Sequence, residues 1–207
     1  MDKTNDSVVI NNIHYRLADL EKDCWIRLVN GAVKGRDPFH LPAVANFSDG
    51  DISLRTVVLR KALPEERELR FHTDTRSPKW RSLQMNPAIS ALFYDASARI
   101  QLRVKGKAVL YFNDAITADA WDKTNLSSRR CYLTPFTPSD FSDIPTSGLP
   151  LHIEQEEFTV EESEAGKEHF GVVGIKVESI DWVWLNHAGH RRAFFDYVKG
   201  EYRWMVP

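Results

Sequence analysis

Ser77-Pro78-Lys79 opens a stretch whose residue types could hold an anion. Serine is a strong helix N-cap and proline is preorganised for the first helical position, so the backbone N–H groups that follow lack intrahelical acceptors. Those groups and the positive end of the helix dipole favour a phosphate. Lys79 in the first turn is the informative residue. Against the dipole alone a cation there costs about 0.3–1 kcal/mol, and an anion bound between the two reverses the sign. Arg55, in a preceding β-branched run, offers a forked donor for the same anion. The same residues also fit a capped surface helix with a solvated lysine and an arginine on a strand face, and spacing alone leaves both readings open.

Other constellations are less productive. His187 and His190 form an HxxH pair with Gly189 between them, but no third ligand has metal spacing, so no metal site is expected. Gly171-Val172-Val173-Gly174 lacks the third glycine of a dinucleotide fingerprint and begins a strand, not a helix. There is no GxSxG elbow. The chain has two cysteines. Cys24 falls inside a helical pattern and Cys131 beside Arg130, without CxxC spacing, which fits a reducing compartment.

The elements that must position Arg55 and Lys79 read as follows. Val8–Ile10 and Ile13–Tyr15 flank Asn11-Asn12 as a small hairpin or a loose arm. From Asp19, the residues Leu20, Cys24, Trp25, Leu28 and Val29 recur at helical spacing, with Gly31 as a stop. Asp37 to Asp51 lacks periodicity and reads as a connection. Strands are expected over Ile52–Arg60, Leu69–Thr73, Ala88–Tyr94 and Ile100–Phe112, with Gly106 marking a bulge or bend in the last. The helix capped by Ser77 ends before Pro87. Asn113 is placed to cap another through Ala115, Ala118, Ala120 and Trp121, ending near Asn125. Thr134 to Pro150 reads as a long exposed loop. Strands return at Gly171–Glu178, Ile180–Leu185, Ala193–Val198 and Glu201–Val206, the last two joined by a Lys199-Gly200 turn.

Strands in succession with one bend argue for a mainly β fold, an antiparallel barrel, closed or split, in a single domain over residues 1–207. Apolar residues at 43% and aromatics at 11% suit one sizeable core. A net charge of −2 with scattered cations gives no general attraction to a polyanion, so nucleic acid is not the expected partner. The N-terminus lacks a signal-peptide pattern and no apolar run approaches a membrane span, so a soluble, cytoplasmic protein is expected.

Several runs resemble, in order and spacing, the pyridoxamine 5′-phosphate oxidase-like family of FMN-binding split barrels. They are Arg55-Thr56-Val57-Val58-Leu59-Arg60, Phe71-His72-Thr73-Asp74, Arg76-Ser77-Pro78-Lys79, Asn86-Pro87 and Ile100-Gln101-Leu102-Arg103-Val104-Lys105-Gly106. The match is clear over Ile52 to Phe112 and weaker through Trp121 and the Trp184 to Phe195 region. The resemblance implies a split β-barrel of antiparallel Greek-key type, working as a homodimer with FMN at the interface. Arg55 and Lys79, with Ser77, would grip the flavin phosphate, and Thr56, Val57 and Val58 would run their backbone along the flavin. His72 and Thr73 would line the ring and ribityl side. Gln101 would meet a polar edge of the ring, on the flavin held mainly by the other subunit, and Trp184 would pack near the ring.

On the substrate side the resemblance implies Arg60, Arg129, Arg130 and Arg191 as binding residues, with Arg191 and His190 at the reacting centre. A small amine or alcohol would give hydride to the flavin, and oxygen would reoxidise it. Two positions depart from the vitamin B6 oxidases. Arg60 stands where their first motif ends in lysine, and His190-Arg191-Arg192-Ala193 replaces their Arg-x-His, with Ala193 in the place of the histidine. A flavin carrier or sensor without turnover, and a split barrel holding haem or a deazaflavin, are the alternative readings.

Overall fold

The computed structural model describes residues 7–10, 13–155 and 158–207. Strands β1 (Ser7–Ile10) and β2 (Ile13–Arg16) pair antiparallel, and the Asn11-Asn12 turn expected between them lies outside the described residues. Helix α1 (Leu17–Val33) buries Leu20, Cys24, Trp25 and Leu28 at the expected spacing. Gly31, expected as its stop, is instead buried inside the helix, which runs on to Val33 with Lys34 as its C-cap. A Cβ at Gly31 would stand 2.7 Å from the Phe39 Cβ, so this glycine permits close packing and terminates nothing.

Next come β3 (Ala43–Ser48), β4 (Asp51–Thr56), β5 (Leu59–Leu63), β6 (Glu68–Asp74), α2 (Pro78–Met85), β7 (Ala88–Asp95) and β8 (Ile100–Tyr111). Two expectations change here. The connection from Asp37 to Asp51 contains β3, which pairs with both β4 and β7 and turns Val44 and Asn46 inward. The Ile52–Arg60 run is broken at Val57-Val58 into β4 and β5. Helix α3 (Ala115–Asp122) is capped by Asp114, whose Oδ1 accepts from Thr117 N at 2.8 Å, and not by Asn113. Short helices α4 (Leu126–Arg129), α5 (Leu151–Gln155) and α6 (Val160–Ser163) flank the segment from Thr134 to Pro150, which has no regular structure. The two strands expected between Gly171 and Leu185 are one, β9 (Phe170–Trp184). The chain ends in the hairpin β10 (Arg191–Asp196) and β11 (Glu201–Met205), with Gly200 at a positive φ in its turn.

Strand β9 is the spine. One edge carries β8 from Val172 to Trp184; the other carries β6 over Phe170–Lys176 and β10 over Ser179–Trp184. The register between β8 and β9 shifts at Lys105/Gly106, where a Cβ on the glycine would run into the Lys176 carbonyl oxygen. The expected bulge is therefore present, and glycine is required by the close approach. The main ladder runs β11-β10-β9-β8-β7-β3-β4, with β6 and β5 branching from β9. It does not close. Two backbone bonds, Val57 N to Pro42 O at 3.1 Å and Leu59 N to His40 O at 2.9 Å, join the start of β5 to the segment before β3. This is the expected mainly β, split antiparallel barrel, with the non-sequential pairs β3–β7 and β6–β9 of a Greek-key arrangement.

The core inside the sheet contains Phe71, Phe93, Leu102, Trp182 and Phe195, capped by α1 through Leu20 and Leu28. A second, smaller cluster of Trp121, Tyr132, Phe170 and Val172 fastens α3 to the outside of β9. Among the described residues no helix is long and apolar enough to cross a membrane.

Candidate functional site

The anion-type start of α2 forms as its sequence dictates. Ser77 is extended, its side chain accepts from Trp80 N, and Pro78 takes the first helical position. Ser77 is itself held from the strand before it, since its Oγ donates to Asp74 O at 2.7 Å. Arg55 reaches the same helix through an amide. Its guanidinium donates to Asn46 Oδ1 and Ser53 Oγ. Asn46 Nδ2 donates to Ser82 Oγ at 2.8 Å, and Ser82 Oγ donates to Lys79 O at 3.0 Å. Asn46 was hidden from sequence reasoning because its segment lacked a visible strand period, yet it is the link that sets Arg55 under α2.

The electrostatics fit an anion. Among the described residues neither Arg55 nor Lys79 has a carboxylate within ion-pair distance. Burial, and then the positive charge of Arg55, push the Lys79 ammonium down to about 8, with Asp74 acting in the other direction. Burial also lowers Arg55. Two half-buried cations that weaken one another are stabilised by an anion placed between them.

Lys79, Ser77, Thr73 and His72 open into a cavity of about 600 Å³. Its other walls are Asp74, Cys131, Tyr132 and the loop from Thr134 to Gly148. That loop is tied at its base, where Thr134 Oγ1 donates to Gly148 O at 2.8 Å. It is also tied to the turn before α2, because Arg76 Nη1 donates to Thr134 O at 2.9 Å. The loop walls are site residues that the motifs did not reveal; the Asp74-x-Arg76 charge pair, which holds the loop base to the turn before α2, was the available signal.

A second cavity, of about 240 Å³, lies on the outer face of β5 and β6 under α3. Arg60, Lys61, Arg70, His72, Lys123 and Asn125 supply its polar wall, and Ile116, Ala120 and Val172 its apolar one. Arg60 enters it because β5 slips register between Leu59 and Lys61, so that Arg60 has no partner of its own on β6. Lys61 and Lys123 pair with Asp119, and Arg70 with Glu66 and Glu68. Arg60 has no such carboxylate among the described residues, and its Nε is buried without a hydrogen-bond partner. His72 is the residue shared by the two cavities.

The remaining expected residues are not brought to these cavities. Thr56 ends β4, and Val57 and Val58 cross from it to β5. Arg129 is buried and turned inward, with its guanidinium donating to Ser163 Oγ, Glu164 Oε1, Thr124 O and Trp121 O. Arg130 lies over the Phe158 ring. Gln101, Trp184, His190 and Arg191 gather at the far end of β9, where Gln101 is opposite Val183 and Trp184 is opposite both Ile100 and Arg191. Arg191 there donates to the carbonyls of Gly189 and His190, and His190 Nδ1 accepts from Asn186 N. Trp184 lies twelve positions along β9 from Val172, the partner of His72, a run of roughly 40 Å along an extended strand. No small ligand touches both ends of one chain.

Residues 23–112 match the family model described as pyridoxamine 5′-phosphate oxidase, FMN-binding domain. Among solved structures, a pyridoxamine 5′-phosphate oxidase-related, FMN-binding protein from Nostoc punctiforme superposes with a TM-score of 0.71 at 21% identity, over 90% of this chain and 97% of that one. PhzG from Burkholderia lata, solved with tetrahydrophenazine-1-carboxylic acid, gives 0.72 at 17% identity, over 97% and 100%. A protein from Clostridium acetobutylicum related to general stress protein 26 gives 0.52 at 14% identity, over 87% and 99%. At these identities the superpositions show the fold. No curated protein matches the chain.

Proposed function

We propose that the chain is an FMN-dependent oxidoreductase acting on a small amine or alcohol, a reading supported by the match of residues 23–112 to the family model described as pyridoxamine 5′-phosphate oxidase, FMN-binding domain. The observation that carries the reading is the pair Arg55 and Lys79, two cations with no carboxylate partner among the described residues: Lys79 lies in the first turn of the capped helix α2 and lines the larger cavity, and Arg55 is near enough to lower its pKa. Arg55, Lys79 and the N–H groups after Ser77 hold the flavin phosphate. Thr73 and His72 line the flavin beyond the phosphate. Bound FMN supplies a two-electron acceptor, and the chain supplies orientation and charge.

The substrate carries an acidic group. Arg60, with its unpartnered Nε, draws that group into the smaller cavity, and Ile116, Ala120 and Val172 cover its apolar part. Arg129 is buried and four of its five N–H groups already bond protein acceptors, so the substrate role falls to Arg60 with Lys61.

The protein works as a homodimer and as a single domain per chain. Phe47, Ile52, Leu54, Leu92 and Tyr94 are exposed on one face of the β4-β3-β7 sheet, an apolar patch of the kind that associates. Association also gives the far end of β9, with Gln101, Trp184, His190 and Arg191, a second chain's cavity to complete.

The visible spectrum tests the reading first. Purified protein, or protein mixed with FMN and desalted, should show flavin absorption, and anaerobic addition of small acidic amines and alcohols should bleach it. A protein that retains no FMN rules the proposal out; retention without bleaching by any substrate makes it a flavin carrier, and a Soret band makes it a haem protein.

A further inference from the structure

His72 stands between the two cavities. It lies on β6 opposite Val172, packs edge-on against Phe170 at 4.8 Å, and lines both the Lys79 cavity and the Arg60 cavity. Among the described residues its ring nitrogens have no hydrogen-bond partner, although the ring is largely enclosed. Burial, and then the charges of Arg60 and Lys61, press its pKa down to about 3, so the imidazole is neutral in ordinary buffers. A neutral imidazole has one N–H and one lone pair. Whichever nitrogen donates to one side therefore leaves an acceptor for the other.

The two sides are not alike. Arg60 and Lys61 make the smaller cavity a place for an anion, which can only accept a hydrogen bond. The flavin side, next to Thr73 and Lys79, would present the hydroxyl groups of a ribityl chain, which can donate. We propose that His72 is a two-sided relay: it donates to an anion in the Arg60 cavity, and the tautomer so fixed accepts a hydrogen bond from the flavin in the Lys79 cavity, making the two ligands bind cooperatively. This rests on the flavin reading above. The thermodynamic consequence is reciprocal, since an anion that strengthens flavin binding is itself bound more tightly by the flavin-loaded protein.

The test uses FMN-loaded protein and inorganic phosphate as the anion, at pH 7.5 and constant ionic strength. The quantity to follow is the rate of FMN dissociation, which competition for the flavin's own phosphate site does not change. One neutral hydrogen bond predicts that phosphate slows FMN loss on the order of fivefold. In His72→Phe the rate should no longer depend on phosphate. Arg60→Gln, which leaves the flavin side untouched, should lose the dependence as well, and it decides the matter if the His72 variant does not fold. In ¹⁵N-histidine-labelled protein the His72 ring should settle into one tautomer when phosphate is added. A phosphate-independent rate in the unaltered protein, or a dependence that survives in either variant, overturns the relay while leaving the flavin reading intact. Failure to load FMN overturns both and is visible before any rate is measured.

Discussion

Arg76 grips Asp74 by both carboxylate oxygens, Nε to Oδ1 at 3.1 Å and Nη2 to Oδ2 at 2.7 Å, while its other terminal nitrogen reaches the Thr134 carbonyl at 2.9 Å. Asp74 also receives Arg76 N at 2.8 Å, and its own carbonyl accepts from Ser77 Oγ. The turn that presents α2 and the loop that walls the larger cavity thus share one guanidinium. Arg76→Ala should release the Thr134–Gly148 loop, raising the rate of native-state proteolysis within it about tenfold. The charged hydrogen bonds removed should lower global stability by about 1–3 kcal/mol. A loop that is cut no faster in the variant would mean that its own turns, and not Arg76, hold it in place.

Lys79 predicts a proton signal. Its ammonium is held at about 8 against an ordinary 10.5, so between those values the unfolded chain binds more protons than the folded one and stability rises with pH. An anion at the site restores the ammonium, and FMN binding at pH 9 should therefore take up a proton. Calorimetry in two buffers of different ionisation enthalpy measures that uptake directly. Lys79→Ala should abolish it and weaken FMN about 10- to 100-fold, the equivalent of one charged hydrogen bond. Equal heats in the two buffers would show that Lys79 does not meet the phosphate.

The parts of the site that could be read in the sequence are those set by local chemistry. The α2 start is specified within a few residues, by a cap, a proline and a stop, and it forms as read. The bulge at Gly106 was visible for the same reason. What could not be read depends on distant partners. Strand β3 is created by β7, some forty residues on, and without it Asn46 could not be seen to anchor Arg55. Strand β9 looked like two strands because Ser179 interrupts its apolar run, but β8 and β10 pair with it on both edges there and carry it through. Arg129 reads from the resemblance as a substrate-binding residue; only its packing beside the Trp121–Phe170 cluster shows that it is a structural one, lying over the Trp121 ring at 4.6 Å.

Gly31 gives a prediction in which two effects oppose. Replacing a helical glycine by alanine ordinarily stabilises by up to about 1 kcal/mol. Here the new methyl would sit 2.8 Å from the Phe39 carbonyl carbon and oxygen, and that backbone is fixed: Phe39 N donates to Asp37 Oδ1 at 2.9 Å and the His40 ring bonds the Gly31 carbonyl at 2.7 Å. Overpacking against atoms that cannot move costs about 1–3 kcal/mol, so Gly31→Ala should lower Tm. A raised Tm would show that α1 does not approach this turn so closely.

His72 should leave its mark on acid stability. Its folded pKa near 3 lies below the ordinary 6.5, so above 6.5 both folded and unfolded chains hold it neutral and it contributes no pH dependence. As pH falls through 6.5 the unfolded chain takes up a proton that the folded chain refuses, and stability is lost progressively down to about 3, below which the curve is flat again. One such proton is worth up to about 1.4 kcal/mol per pH unit within that window. Urea unfolding of the parent and of His72→Gln at pH 7, 6, 5 and 4 isolates the effect, because every other titrating group is common to both. The difference in stability between the two should shrink steadily toward low pH. It should shrink less when phosphate occupies the Arg60 cavity, since an anion there offsets the two cations that help to depress the imidazole. Parallel curves would mean that His72 is open to solvent and charges freely, and the wall between the two cavities would then not be a neutral one.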